Sequence, residues 1–458
     1  MSVPLVFMPR RRGNLARLGD ALARHRRLIA GVQWGVVLVY LALVTAPAFL
    51  PLPDEQGRIL DNFTRFAQFL FWGIWWPFVI LSVMLFGRVW CGIFCPEGTL
   101  TEAASRRGLG RAIPRWLRWP GWPLVGFFCI TLYGQLTSIY EYPKPVLLIL
   151  GGSTVAAIAI GLLYGRGKRV WCRYLCPVSG VFALLGRLAP THFLTDREAW
   201  RRFPRRSAAV DCPPLLDVST LSSGAECHQC GRCSGHRDAV ALRWRWPGSE
   251  ILTAKPQEIG RFEISLLLYG MIGFAIGAFQ WTLAPSFVTV KQGIAEWLIE
   301  RDIFWPFGDG ASWWLLTHYP DASDVFTWLD GACIAVWIIA HALVIGGIAQ
   351  LCLVGAGRLL RADWRKLALG LIPLAGVGLF LGLSMMTLTQ LRAEGVNLAW
   401  APTARAALLA LATTGALILG VRLIRQTRAA ISRRALAGGL YAVVVALPVW
   451  MWMRAFQF

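Results

Sequence analysis

Nine apolar stretches, each near the length of a membrane span, dominate this sequence. They lie near residues 29–50, 67–86, 121–139, 145–164, 263–285, 326–354, 367–389, 403–424 and 437–456. A helix needs about 20 apolar residues to cross the roughly 30 Å hydrocarbon core of a bilayer. Hydrophobic residues make up 56% of the chain and charged residues only 16%, which excludes an ordinary soluble protein. The predicted fold is therefore an all-α polytopic membrane protein with about nine transmembrane helices.

Basic residues set the predicted orientation. The net charge is +21, and 38 of the 46 Lys and Arg residues fall on the same side of the nine spans as the N-terminus. The positive-inside rule places that side in the cytoplasm, so we expect a multi-pass protein of the bacterial inner membrane with its N-terminus inside. Because these residues are scattered through short loops rather than gathered on one face, they do not indicate nucleic-acid binding.

The spans and loops divide the chain into four predicted parts. Residues 1–28 form a basic cytoplasmic N-terminus, and residues 29–164 form a four-helix membrane block. Residues 165–262 form a cytoplasmic segment rich in Arg, Pro and Cys. Residues 263–458 form a second membrane block of about five helices, which contains an acidic outer loop at residues 286–325.

A nine-residue motif occurs twice. Residues 88–96 read RVWCGIFCP and residues 169–177 read RVWCRYLCP, an offset of 81 residues. Each copy follows a predicted span that runs from outside to inside. The repeat therefore predicts two hairpins of the same design, each carrying a C-x3-C-P thiol pair on the cytoplasmic side.

The cysteines separate by predicted depth. Three of the eleven, Cys129, Cys333 and Cys352, lie within predicted spans and are interpreted as packing residues. The others lie on the cytoplasmic side, where thiols are kept reduced, so they indicate metal ligation rather than disulfides. These eight are Cys91, Cys95, Cys172, Cys176, Cys212, Cys227, Cys230 and Cys233.

The C-x2-C-x2-C run at residues 227–233 matches the first three ligands of a bacterial ferredoxin motif. The run is incomplete, because Arg237 stands where a fourth Cys is expected. Cys212, followed by Pro213, is the nearest thiol with the expected proline, and we assign it to this first cluster. Cys95 and Cys176 are also followed by Pro, so the fourth ligand stays open at this point.

The two C-x3-C-P pairs supply a second set of four thiols that can close around one [4Fe-4S] cluster and bridge both hairpins. Pro96 and Pro177 suit the first position of a helix, where free N–H groups favour negative charge. Arg88, Arg169 and Arg173 add positive potential, which favours thiolates and raises a cluster's reduction potential.

Zinc is the alternative metal, because four thiolates can also hold a structural zinc ion. In that case the chain would be a transporter or permease with zinc–thiolate sites. The close spacing of the C-x2-C-x2-C run favours iron–sulfur, since zinc sites usually present separated C-x2-C pairs.

The motifs at 88–96, 169–177 and 227–233 resemble those of the membrane-bound polyferredoxins of the NapH/NosR type, over roughly residues 30–262. The resemblance implies a small ferredoxin-like iron–sulfur segment that passes single electrons between the quinone pool or a cytoplasmic donor and a periplasmic redox protein. It implies an electron-transfer component rather than a stand-alone enzyme. A related branch accompanies ferrous-iron uptake systems with a cupredoxin and a permease, so an accessory ferredoxin subunit of such a system is the alternative.

Electrons must still cross a roughly 30 Å core, so a bound quinone or a flavin is a further hypothesis. Asp330 and His341 lie eleven residues apart in the sixth predicted span and share a helix face, which suits a quinone or proton site. His318 in the outer loop is a third candidate for contact with a quinol headgroup. The structural alternative is that Asp330 lies at the outer interface, that His341 bonds a neighbouring helix, and that His318 is a solvated loop residue.

Overall fold

The computed structural model describes residues 13–54, 57–204 and 207–456. The first 12 residues of the predicted basic N-terminus lie outside the described residues. Helices dominate, and turns of π- or 3-10 geometry within a span are counted here as part of it. In chain order the elements are α1 (Asn14–Arg24), α2 (Arg26–Phe49), α3 (Phe63–Phe86), α4 (Pro96–Arg106), α5 (Trp122–Leu136), α6 (Pro143–Tyr164), α7 (Val170–Tyr174), α8 (Ser179–Gly186), β1 (Thr191–Thr195), α9 (Arg197–Arg202), β2 (Val240–Trp244), α10 (Ser249–Thr253), α11 (Arg261–Leu283), α12 (Pro285–Ile299), β3 (His318–Tyr319), β4 (Asp324–Val325), α13 (Trp328–Leu360), α14 (Trp364–Leu369), α15 (Ile372–Ala393), α16 (Ala401–Arg425) and α17 (Ile431–Phe456).

Eight of these helices are long and apolar enough to cross a bilayer, counted over the described ranges: α2, α3, α6, α11, α13, α15, α16 and α17. The prediction of an all-α polytopic membrane protein is confirmed. The predicted span at 121–139 is the shorter α5, whose 15 residues extend about 22 Å at 1.5 Å per residue. Pro123 lies in its first turn and Ser138, with a φ of 47°, lies just beyond its end, so the helix is bounded at both ends.

The two hairpins of the repeat pack against each other. The hydroxyl of Thr101 in α4 donates to the carbonyl of Ala157 in α6 at 2.7 Å. Gly161 lies so close to α4 that a Cβ there would be 2.6 Å from the Thr101 carbonyl oxygen. The helix that follows the first motif thus lies directly on the span that leads to the second motif.

The cysteine-rich segment folds onto the same end of the bundle. Its strands β1 and β2 pair antiparallel, with Phe193 opposite Leu242. Arg187 forms an ion pair with Glu263 at 2.8 Å, which ties this segment to the start of α11. We call the end of the bundle where α3 and α6 end and α11 begins the thiol side, because the loops that carry the cysteine motifs lie there.

The second membrane block is built around α13, which packs against α11 and α17. Its core is formed by small and branched side chains, among them Ile345, Ala349 and Leu353 of α13, which are buried. On the side opposite the thiols, α12 and the short β3–β4 pair belong to the acidic segment.

Candidate iron–sulfur site

The repeated motif produces a repeated backbone turn. In the first copy a π-helical turn, Trp90–Phe94, leads to Cys95, whose N–H donates to the Trp90 carbonyl at 2.9 Å. In the second copy the N–H of Cys176 donates to the Trp171 carbonyl at 3.0 Å. The same sequence therefore places the second thiol of each pair in the same way.

The two prolines differ. Pro96 is the first residue of α4, and Cys95 caps this helix by accepting the Gly98 N–H on its sulfur at 3.4 Å. Pro177 does not begin a helix: it lies in a turn, and α8 starts at Ser179. The prediction of a helix beginning at Pro177 is wrong because the Cys176 carbonyl closes a tight turn with the Ser179 N–H at 3.1 Å before the helix starts.

The four thiols of the C-x3-C-P pairs come together, and we call them the hairpin set: Cys91, Cys95, Cys172 and Cys176. Each of the last three interacts electrostatically with other members of the set. Burial raises the pKa of Cys172 to about 12, although Arg169 and Arg88 act to lower it. Burial also raises the pKa of Cys95 and Cys176. The positive residues thus oppose, without overcoming, the cost of burying a thiolate.

The remaining four thiols line one cavity, and we call them the run set: Cys212, Cys227, Cys230 and Cys233. Burial raises the pKa of Cys227 to about 12 and that of Cys212 to about 11. The Cys227 sulfur accepts the Gln229 N–H at 3.4 Å. The structure brings Cys212 to the run, as the assignment requires, whereas Cys95 and Cys176 belong to the hairpin set. Arg237 stacks on Trp200, with its guanidinium 4.7 Å from the ring centroid.

The two thiol sets touch through Gly92, which lies between Cys91 and Cys95. A Cβ at this glycine would be 2.2 Å from the His228 carbonyl oxygen and 2.9 Å from the Cys230 nitrogen. Only a residue without a side chain permits this approach of two backbones. The first C-x3-C turn therefore packs directly on the C-x2-C-x2-C run.

Arg169 lies between the two sets and is 1% exposed. Burial acts to lower the pKa of its guanidinium, but Glu102 and the thiols of Cys172, Cys230 and Cys95 raise it, so Arg169 stays cationic. Its Nε donates to Glu102 at 2.9 Å, and its Nη1 donates to the Cys91 carbonyl. The side chain thus contacts one set and faces both.

The other predicted cationic residues lie around the same region. Arg88 is buried and donates to the Ala225 carbonyl at 2.8 Å. Arg173 forms an ion pair with Glu226 at 2.8 Å. Both act on the thiols or on His228 between them: Arg88 lowers the pKa of Cys227, and both lower that of His228, whose largest cause is burial.

Glu102 and Arg232 are functional candidates that the sequence analysis missed. Glu102 is buried and accepts from Arg169 and from Arg232, the latter at 2.6 Å. Arg232 lies within the ferredoxin run itself, so an unpaired cation next to Cys230 and Cys233 was a signal that a carboxylate had to lie nearby.

The residues fit a [4Fe-4S] cluster on donor chemistry. Each set offers four converging thiols that are buried or half-buried, and all eleven cysteines are free. Two buried nitrogens near the sets, Arg169 Nη2 and His228 Nδ1, have no hydrogen-bond partner among the described residues. Cluster sulfurs accept hydrogen bonds of this kind. No group of three or more His, Cys, Asp or Glu within the ranges described lies close enough to surround a single metal ion.

The three candidates for a quinone or proton site are separated from the thiols. Asp330 lies in the first turn of α13, accepts from Thr327 in a capping box and pairs with Lys291 at 2.8 Å. His341 Nδ1 lies 2.8 Å from the carbonyl of Trp337 in the same helix. His318 lies in β3, and its Nδ1 is buried. Asp330 and His341 therefore have local partners, and the structure shows no contact between them in the part it describes.

The three cysteines interpreted as packing residues lie within helices. Cys333 is buried in the core between α11 and α13, and Cys352 packs against the core of the second block. Cys129 of α5 is exposed.

Comparisons with known proteins bear on the hairpin set. A family model described as a 4Fe-4S binding domain matches residues 68–120 and 148–195. These two stretches contain both C-x3-C-P motifs together with most of α3 and α6. The match therefore falls on the two hairpins that the repeat defines.

Three curated relatives align with this chain. The methylamine utilization ferredoxin-type protein MauN of Paracoccus denitrificans is 31% identical over 24% of this chain and 43% of the relative. The regulatory protein NosR of Pseudomonas aeruginosa is 25% identical over 47% of this chain and 34% of the relative. The ferredoxin-type protein NapH of Escherichia coli is 26% identical over 36% of this chain and 66% of the relative. The chain thus spans less than half of the first two relatives.

No solved structure matches the chain. The matched family model covers both thiol hairpins, and the relatives are ferredoxin-type and NosR proteins. Together with the membrane-spanning helices, these findings identify the chain as a membrane polyferredoxin of the NapH/NosR type.

Proposed function

We propose that this protein is an electron-transfer component of the membrane that holds two [4Fe-4S] clusters, one on the hairpin set and one on the run set. When bound, such clusters accept and donate single electrons. The observation that carries the proposal is the contact of the two sets at Gly92. Two redox centres held by touching backbone segments are close enough to exchange electrons directly.

The chain's own residues hold the sites and tune them. The Gly98 and Gln229 N–H groups donate to cysteine sulfurs, one in each set. Arg169 supplies a buried positive charge to both sets, and Glu102 fixes its position. Positive charge stabilises the added electron of a reduced cluster, so Arg169 raises the reduction potential of both sites.

We further propose that the thiol side is cytoplasmic and that the protein lies in a bacterial inner membrane. The distribution of Lys and Arg supports this orientation. The acidic outer segment then faces the periplasm, where it suits a basic surface on a redox partner. The relatives named above support electron transfer, but their names do not support iron transport.

The partners in this proposal are a donor from the quinone pool or the cytoplasm and a periplasmic acceptor. A roughly 30 Å core separates the two faces, so a bound quinone or flavin would have to carry electrons part of the way. Oxidation of a quinol analogue, compared with electron exchange with a ferrous-iron-oxidising cupredoxin, separates this function from an accessory role in iron uptake.

Metal and sulfide analysis of anaerobically purified protein tests the proposal. We expect about eight iron atoms and about eight acid-labile sulfides per chain, four of each for every cubane. Cys91→Ser and Cys227→Ser should each remove about half of the iron and one component of the reduced-state EPR spectrum. Cys129→Ser, at an exposed position on α5, is the control and should change neither. Zinc without acid-labile sulfide would instead support the structural zinc site of a transporter.

A further inference from the structure

A basic cavity lies at the thiol side of the second membrane block, away from both thiol sets. It encloses about 710 Å³ and is lined by the end of α13, the end of α16, the start of α17 and the loops between them. This volume lies within the range of about 300–1,000 Å³ that is typical of small-molecule sites. Pro256, which belongs to the cysteine-rich segment, also lines the cavity, so the cavity opens on the thiol side.

Cationic side chains dominate the polar lining: Arg361, Lys366, Arg428 and Arg433. The one carboxylate of the lining, Asp363, is already paired with Arg365 at 2.6 Å. Among the ion pairs found between described residues, none involves any of the four lining cations. The cavity therefore carries an excess of positive charge that no protein carboxylate of the described residues balances.

The cavity also has an apolar floor. Leu360, Leu367 and Leu423 line it and are each buried to within 3% exposure. Burial lowers the pKa of Lys366, whose amino group lies against this floor, and a neighbouring anion would favour its charged form. Arg361 ends α13 with a φ of 51°, a left-handed conformation that is uncommon for a residue with a Cβ. A polar rim of cations over an apolar floor, at the ends of two membrane spans, matches an amphiphile rather than a soluble anion.

We propose that this cavity binds the phosphate headgroup of an anionic phospholipid from the leaflet on the thiol side. Basic pockets between transmembrane helices at this level are suited to such headgroups. The site is also linked to the iron–sulfur segment, because Arg365 Nη1 donates to the carbonyl of Ile259 at 3.1 Å. A bound lipid would thus hold the loop after α13 against the segment that carries the run set.

Native mass spectrometry of the full-length protein, released from nanodiscs of phosphatidylglycerol and phosphatidylcholine, tests the proposal. We expect the wild-type protein to retain phosphatidylglycerol in preference to phosphatidylcholine. The double variant Arg428→Ala with Arg433→Ala should reduce phosphatidylglycerol occupancy by about tenfold or more, since each surface Lys or Arg contributes about 1 kcal/mol to anionic lipid binding.

The matched control is Arg422→Ala with Arg425→Ala, which removes the same charge from exposed positions on the last turns of α16 that do not line the cavity. It should change occupancy less than about twofold. Equal loss in both double variants would mean general surface attraction and would overturn the site. Displacement of the lipid by millimolar inorganic phosphate would overturn the lipid as the ligand, because a soluble anion would then suffice. Circular dichroism of all variants confirms that they fold.

Discussion

At the scale of single residues, the site depends on one buried carboxylate. Burial acts to raise the pKa of Glu102, but Arg169 and Arg232 lower it below its usual range. Glu102 therefore stays ionised and balances cations that lie beside both thiol sets. Breaking a buried pair from one side is costly, because it leaves the other charge uncompensated.

Glu102→Gln tests this role. The amide keeps the shape and some hydrogen bonds of Glu102 but removes its charge, so Arg169 acts on the clusters without compensation. We expect both reduction potentials to rise by on the order of 60 mV, a tenfold change in a one-electron equilibrium. An EPR-monitored redox titration measures this shift. Glu198→Gln, at an exposed pair with Arg202, is the control, and unchanged potentials in Glu102→Gln would contradict the role.

The residue scale also shows where sequence reasoning stops. The eight thiols were found because their ligand spacing is local in the chain. Glu102 was not, since its partners Arg169 and Arg232 are 67 and 130 residues away in sequence. Contacts of that separation are set by packing of α4 on α6, which no spacing rule encodes.

At the scale of elements, the contact between the first C-x3-C turn and the ferredoxin run defines the pair of sites. Gly92 is the residue that permits it. Any side chain there meets backbone atoms of His228 and Cys230, which cannot rotate away as a flexible side chain would.

Gly92→Ala should therefore separate the two sites. We expect a loss of about 1–3 kcal/mol in stability, the usual effect of overpacking, and weaker magnetic coupling between the reduced clusters. EPR of the fully reduced protein reports the coupling, and thermal unfolding reports the stability. Gly152→Ala is the matched control, because nothing lies within 4 Å of a Cβ at that glycine. Coupling that matches the wild-type spectrum would show that the contact does not set the distance between clusters.

Most elements agree with the sequence analysis because apolar length is a strong signal in a membrane protein. The stretch predicted at 67–86 is the helix Phe63–Phe86, and that at 145–164 is Pro143–Tyr164. The exceptions are local. Residues 121–139 form the short α5, and Pro177 occupies a turn.

At the scale of the whole molecule, orientation follows from charge rather than from any single contact. The spans place the cysteine-rich segment and the acidic segment at opposite ends. The positive-inside rule assigns the first to the cytoplasm. The structure contains no membrane, so this assignment remains a prediction.

Labelling with a membrane-impermeant maleimide tests the orientation. Cys introduced by Asp321→Cys, on an exposed residue of the acidic segment, should react in intact spheroplasts. Cys introduced by Arg243→Cys, on an exposed residue of β2, should react several-fold more after permeabilisation than before. A background with Cys129→Ser removes an exposed native thiol. The reverse pattern would show that the orientation is wrong.

The position of α1 has a consequence for how the protein is made. Leu15 packs against the core beside the run set, and Asp20 accepts from Ser234, 214 residues further along the chain. The ribosome therefore releases α1 long before it releases the surface on which α1 rests. Iron and sulfide can reach the nascent run set while that surface is still incomplete, and docking of the earliest helix is then among the last steps of maturation.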